Sequence, residues 1–219
     1  MSSNKAEIHA ARQFKVGEEI FSMKSVLGKG TFGTVFLATR DISSMHNPHD
    51  REVAIKEIAR SNIPKAFPAE AAILKHLQHP NIVHLYNVDD SYSDYIYLVL
   101  EFCEGGDLKS VMQKQGRLPD YLCRRLFQDL TSGLHFLYER RLIHRDIKPQ
   151  NLLLSEPIVL EHSETDTLHA ARWTNSSSIT LKLADFGSAR YLQESSMAFT
   201  VCGSPLYMAP EILQCQSYD

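Results

Sequence analysis

The chain has 219 residues, 43% of them apolar and 22% charged, with a formal net charge of −3, an ordinary globular composition for one or two domains with a real core. No basic run suggests a nucleic-acid surface, no stretch approaches the length that spans a bilayer, and residues 1–15 lack the apolar core of a leader. Cys103, Cys123, Cys202 and Cys215 are widely spaced and outside any metal-ligand pattern, so they read as free structural thiols of a soluble cytoplasmic protein.

Residues 1 to about 18 are polar and without clear periodicity, either a frayed extension or the start of the first strand. From Ser25 to Ala38 two apolar runs flank Gly28-Lys29-Gly30-Thr31-Phe32-Gly33, which reads as a hairpin. The same glycine spacing opens dinucleotide-binding turns, but a helix follows there, and here Val35-Phe36-Leu37 continues as strand. Taken alone, the loop is also compatible with a merely flexible turn. A polar connection, Asp41 to Arg51, leads to the strand Val53-Ala54-Ile55-Lys56, whose single lysine would be costly to bury unpaired. Glu70, in the helical stretch from Ala69 to Leu77, is the expected partner. Pro68 suits the first helical position, so Glu70 would also serve the bland role of an acid in a first turn; the two readings are compatible.

Residues 79–85 and 95–101 read as further strands around an Asp- and Ser-rich turn, giving a five-stranded antiparallel sheet with the earlier three. Leu122, Leu126, Leu130, Leu134 and Leu137 recur at helical spacing and predict a long core helix. Next comes His144-Arg145-Asp146-Ile147-Lys148-Pro149-Gln150-Asn151, then Asp185-Phe186-Gly187 behind an apolar run. Two acids, an amide and a lysine at these spacings fit phosphoryl transfer, which needs positioning and charge neutralisation more than covalent help. Asp146 suits acceptance of a hydroxyl proton, Asn151 and Asp185 offer hard oxygen ligands for magnesium, and Lys148 places a positive charge beside the moving group. Between them, residues 155–179 form an insertion rich in Ser, Thr, Glu and His; His162 and His169 do not amount to a metal site, and Trp173 is expected to pin the insertion to the surface.

The glycine loop, Lys56, residues 144–151, Asp185-Phe186-Gly187 and Met208-Ala209-Pro210-Glu211, in this order, resemble the eukaryotic protein kinases, and Lys148-Pro149 their serine/threonine branch. Within that family, residues 148–155, 187–192 and 202–210 look most like the autophagy-initiating ULK group, from which Ser188 and the insertion depart. The resemblance implies an α+β bilobal kinase fold: an extension over 1–20, an N-lobe over 21–103 with a five-stranded sheet and a helix, and a mainly helical partial C-lobe over 104–219 that lacks its last helices. It implies ATP and Mg2+. Gly28, Lys29, Gly30, Thr31, Phe32 and Gly33 would close over the phosphates, and Lys56 would hold them and pair with Glu70. Val35 would lie against the base, and Ala54 and Leu153 would also belong to the nucleotide site. Leu100 would gate the pocket beside a hinge at Glu101 and Cys103, and Asp107 would lie near the ribose or act as a helix N-terminal acid. Catalytic roles fall to Asp146, Lys148, Lys56 and Glu70, and metal binding to Asn151 and Asp185.

A phosphate on Thr200, within reach of Arg145, is the expected activating modification, ahead of Ser195 and Ser196. Gln150 predicts weak preference for upstream arginine in substrates. Protein substrates are implied, and autophagy-complex partners through regions absent here. Because the family continues beyond the point reached at Asp219, the chain is expected to be a fragment of an active kinase; the alternative is a nucleotide-binding fragment without turnover.

Overall fold

The computed structural model describes residues 13–30, 33–41, 52–62, 67–161, 172–174, 178–192 and 203–214, with side chains of 62–70, 159–161 and 172–174 left aside. The chain divides into two compact units, Met1–Leu77 with His84–Phe102, and Gln78–Val83 with Cys103–Asp219. Among the described residues, no helix is long and apolar enough to cross a membrane.

The first unit is built on an antiparallel sheet of β1 (Gln13–Val16), β2 (Glu19–Lys29), β3 (Thr34–Arg40), β4 (Glu52–Ala59), β5 (Leu85–Asp89) and β6 (Tyr95–Glu101). Its order is β1-β2-β3-β4-β6-β5, six strands where the sequence suggested five. The extra strand is β1, inside the stretch assigned to an extension: Phe14 and Val16 alternate with exposed Gln13 and Lys15 and are buried. Four residues of period-two alternation behind a polar leader give a weak signal, yet they cap a core. Phe14 packs 5.6 Å from Phe21 and 5.1 Å from Tyr97, over Met23, Phe36, Val53, Ile55 and Val99. Strand β4 is therefore buried on both faces, Val53 and Ile55 in this core and Ala54 and Lys56 on the other side.

The helix of this unit, α1 (Phe67–Leu74), starts one residue before Pro68 and ends earlier than the pattern to Leu77 suggested, with Glu70 in its first turns. The strand expected over 79–85 begins only at Leu85. Ile82 and Val83 belong to the second unit instead, where Ile82 bridges Leu183 and the Val83 N–H donates to the Leu183 carbonyl at 3.0 Å.

The second unit holds β7 (Gly106–Asp107), α2 (Leu108–Gln115), α3 (Asp120–Glu139), β8 (Leu142–Ile143), β9 (Leu152–Leu154), β10 (Val159–Glu161), β11 (Arg172–Thr174), β12 (Leu181–Leu183), β13 (Arg190–Tyr191) and α4 (Pro210–Leu213). Helix α3 matches the leucine pattern in part: Leu122, Leu126 and Leu137 are buried, while Leu130 and Leu134 are half-buried and Phe127 is exposed. Strand β12 pairs with β9, which pairs with β7, and β13 pairs with β8. The insertion extends the β9–β12 hairpin: Ser155 and Thr180 continue it, the Ser178 hydroxyl donates to Glu156 at 2.9 Å, and β10 and β11 pair antiparallel beyond. His162, His169 and the Trp173 side chain lie outside the described residues.

Candidate active site

In the first unit, strand register gathers four of the residues singled out in the sequence. Val35 stands opposite Lys56, Lys56 opposite Leu98, and Ala54 opposite Leu100, so Val35, Ala54, Lys56 and Leu100 share one face of the sheet. Lys56 is buried there. The glycine loop joins β2 to β3, and the Gly30 N–H donates to the Gly33 carbonyl at 2.9 Å. Gly33 lies against β4 so closely that a Cβ would sit 2.0 Å from the Glu57 carbonyl oxygen, and only glycine fits. Gly28 and Lys29 close β2, while Thr31, Phe32 and the Glu70 side chain lie outside the described residues. Glu101 ends β6 with its N–H donating to the His84 carbonyl and its carboxylate accepting from the His84 N–H.

In the second unit, Cys103 is buried and its carbonyl accepts from Gly106 at 3.1 Å. Asp107 caps α2, its two carboxylate oxygens accepting from the Ser110 N–H at 2.9 Å and the Ser110 hydroxyl at 2.6 Å. Of its two readings, the helix-terminal one is thus seen directly. Leu153 pairs with Asp107 across β7 and β9.

The loop from His144 to Asn151 is organised by polar contacts. Buried His144 donates from Nε2 to the Ala184 carbonyl at 2.9 Å, accepts the Asp146 N–H at Nδ1, and meets the Phe186 ring edge-on at 4.8 Å. Burial pushes it below its ordinary value, against the Ala184 carbonyl and the carboxylates of Asp185 and Asp146, so it stays neutral. Arg145, with a left-handed φ of 68°, donates from Nε to the Ser188 carbonyl at 2.6 Å and keeps a buried Nη1 without a partner among the described residues. Thr200, its expected phosphorylated partner, lies outside them.

Asp146 is the hub. Its Oδ2 accepts from Lys148 Nζ at 2.7 Å and Asn151 Nδ2 at 3.0 Å, and its Oδ1 accepts from the Ser204 hydroxyl at 3.0 Å. Lys148 Nζ also donates to Ser204 Oγ at 2.8 Å. Burial alone would raise the Asp146 pKa; the Lys148 ammonium, the Ser204 hydroxyl and the Asn151 amide outweigh it and hold the carboxyl below its usual range. Ser204 is the residue that reading the sequence missed. Gly203 before it has φ 105°, and a Cβ there would lie 2.5 Å from the Arg145 carbonyl oxygen. A glycine followed by a hydroxyl was the available clue, but nothing local joins it to a loop 58 residues away.

The donor set suits magnesium. Buried Asn151 commits its amide nitrogen to the Asp146 carbonyl and carboxylate, which leaves its side-chain oxygen as the remaining donor, and Asp185 is exposed with a left-handed φ of 61°. Among the described residues no group of three or more His, Cys, Asp or Glu gathers for a metal. One or two hard oxygens plus substrate phosphates is the usual magnesium arrangement.

Fold, loop and motif order define a protein kinase. The family model for the protein kinase domain matches residues 21–219, and the chain belongs to that family. It is similar to the serine/threonine-protein kinase ULK1 of Homo sapiens, at 41% identity over 207 residues, 93% of this chain and 18% of that protein. It is likewise similar to serine/threonine-protein kinase ATG1c of Arabidopsis thaliana, 42% identical over 88% of this chain and 24% of the relative, and to ATG1 of Kluyveromyces lactis, 36% identical over 100% and 29%. The chain thus spans between 18% and 29% of the length of these relatives.

Proposed function

We propose that the chain transfers the γ-phosphoryl group of ATP to serine or threonine hydroxyls of proteins, with residues 21–103 as N-lobe and 104–219 as C-lobe. The observation that carries this reading is the Asp146 carboxyl group tied at once to Lys148, Asn151 and Ser204. A carboxylate held low is charged at neutral pH and accepts a hydrogen bond from an incoming hydroxyl, which orients that oxygen for attack. Lys148, donating to Asp146 and Ser204 at once, is fixed where positive charge offsets that of the transferring group. Asn151 and Asp185 would hold magnesium, which when bound neutralises phosphate charge. Val35, Ala54 and Leu100 offer an apolar face to the base, and Lys56 on that face, with Glu70 as its counter-charge, holds phosphates. In this reading Gly28, Lys29, Gly30, Thr31, Phe32 and Gly33 are assigned to phosphate binding, Glu101 and Cys103 to the hinge, and Leu153 to nucleotide binding.

Similarity to ULK1 and the ATG1 kinases supports a place at the start of autophagy, with protein substrates and complex partners of that process. A phosphate on Thr200 paired with Arg145 is the proposed activating event. The test is phosphate transfer from labelled ATP by the purified chain with magnesium, beside Asp146→Asn and Lys56→Met. Transfer lost in both variants supports the reading; transfer that survives Asp146→Asn would sink the assignment of Asp146.

A further inference from the structure

The backbone that delivers Asp185 is held on both edges by hydrogen bonds that can be followed group by group. Asp185 itself has a left-handed φ of 61° and ψ of 74°, a conformation that a non-glycine residue keeps only where its surroundings over-determine it. On one edge of the preceding strand, β12 pairs with β9 from Leu181 opposite Leu154 to Leu183 opposite Leu152, and the Ala184 N–H donates to the Asn151 carbonyl at 2.9 Å. On the other edge, the Leu183 N–H donates to the Asn81 carbonyl at 2.8 Å, and the Leu183 carbonyl accepts from Val83 at 3.0 Å.

Three side chains complete the frame. His144 donates to the Ala184 carbonyl, Asn81 Nδ2 donates to the Leu181 carbonyl at 3.1 Å, and Asp129 Oδ2 accepts the Leu181 N–H at 2.9 Å. His144 sits in the catalytic loop and Asn81 in the turn before β5. Asp129 belongs to no motif, yet it stands on helix α3 with its side chain only 13% exposed and Arg125 at 3.6 Å. Its place along the ribbon also matters. Leu181 follows Thr180, where the 155–179 insertion ends, and Leu181 begins the strand that leads to Asp185.

We infer that Asp129 is a positioning residue for magnesium binding: by accepting the Leu181 N–H it fixes β12 where the insertion joins it, and so holds Asp185 in its left-handed conformation. This rests on the kinase reading above. Without an acceptor at 129, a buried N–H loses its partner, the outer end of β12 follows the insertion, and Asp185 relaxes from its strained backbone. Groups that orient a metal ligand typically change metal affinity or activity by about 10- to 100-fold when removed. Arg125 has the lesser part, steadying the carboxylate.

The experiment is nucleotide binding by the full chain, measured calorimetrically with a non-hydrolysable ATP analogue across a magnesium titration and with ADP in the absence of metal. Asp129→Leu should raise the magnesium needed for half-maximal analogue binding about 10-fold while metal-free ADP affinity stays at the wild-type value. Asp129→Asn, which keeps an acceptor oxygen, should restore the wild-type magnesium dependence. Should Asp129→Leu fail to fold, Asp129→Glu keeps the charge and the Arg125 partner but displaces the acceptor, and its magnesium requirement should likewise rise. An unchanged magnesium requirement in the folded variants would overturn the inference, as would an equal loss of metal-free ADP binding, which marks a purely structural role. Absence of magnesium-dependent binding in the wild-type chain would instead sink the kinase reading on which the inference stands.

Discussion

The β-sheet of the first unit and the loop from His144 to Asn151 in the second are both well determined, by opposite means. The sheet is set by apolar burial on both faces: Phe14, Phe21, Ile55 and Tyr97 fill one side, and the register of β3, β4 and β6 then aligns Val35, Ala54, Lys56 and Leu100 on the other. The loop relies on polar contacts. Its shape comes from directed bonds among His144, Arg145, Asp146, Lys148, Asn151 and Ser204, and it includes a left-handed residue at Arg145. Burial is non-directional and tolerates small adjustments, whereas a polar network works only if each partner is in place. Damage to the sheet should therefore appear as lost stability, and damage to the loop as lost turnover.

The largest effect should come from Asp146→Asn, which keeps size and most hydrogen bonds but removes the charge. Turnover should fall by roughly 10²- to 10⁴-fold with the melting temperature near that of the wild type; comparable kcat values would break the contrast from the loop side. Phe14→Ala attacks it from the sheet side. Truncating this buried ring should cost about 3–5 kcal/mol of unfolding free energy in a denaturant titration, with kcat of the folded fraction unchanged, and a kcat loss there would mean that β1 serves chemistry as well as packing.

Ser204→Ala sharpens the comparison within the loop. Losing one hydroxyl shared by Asp146 and Lys148 leaves both short of a partner, a penalty of about 1–3 kcal/mol, so kcat should drop by roughly tenfold or somewhat more. Ser204→Thr should restore it. The smallest effect concerns acid. His79, which accepts the Asn81 N–H at Nδ1, is held below the ordinary histidine value of 6.5 by burial and by the charges of Arg140 and Lys182. Because the folded pKa is the lower one, the stabilisation is complete above about 6.5 and is lost as pH falls from there through the folded value. Unfolding curves should therefore weaken below that pH, and His79→Asn, with a neutral acceptor, should remove part of the slope.

Much of this was legible in the sequence because the relevant signals are local. The glycine loop, the lysine strand and the run from His144 to Asn151 announce themselves through spacing over a dozen residues or fewer. Helix α3 was legible as a helix, but not which leucines it buries, since Phe127 is exposed and Gly133 buried against Asn81. β1 was too short to stand out, and residues 79–85 read as one strand although the chain passes between the two units within them.

The sequence by itself determined the family and pointed to a kind of chemistry, because the proposed phosphoryl transfer calls for particular acids, an amide and a lysine, and their order along the chain is visible without coordinates. Only the tertiary structure decided how those groups are held. Ser204 meets Asp146 across 58 residues and Asp129 meets Leu181 across 52. Contacts of that span depend on how strands and helices pack, and no local pattern encodes them.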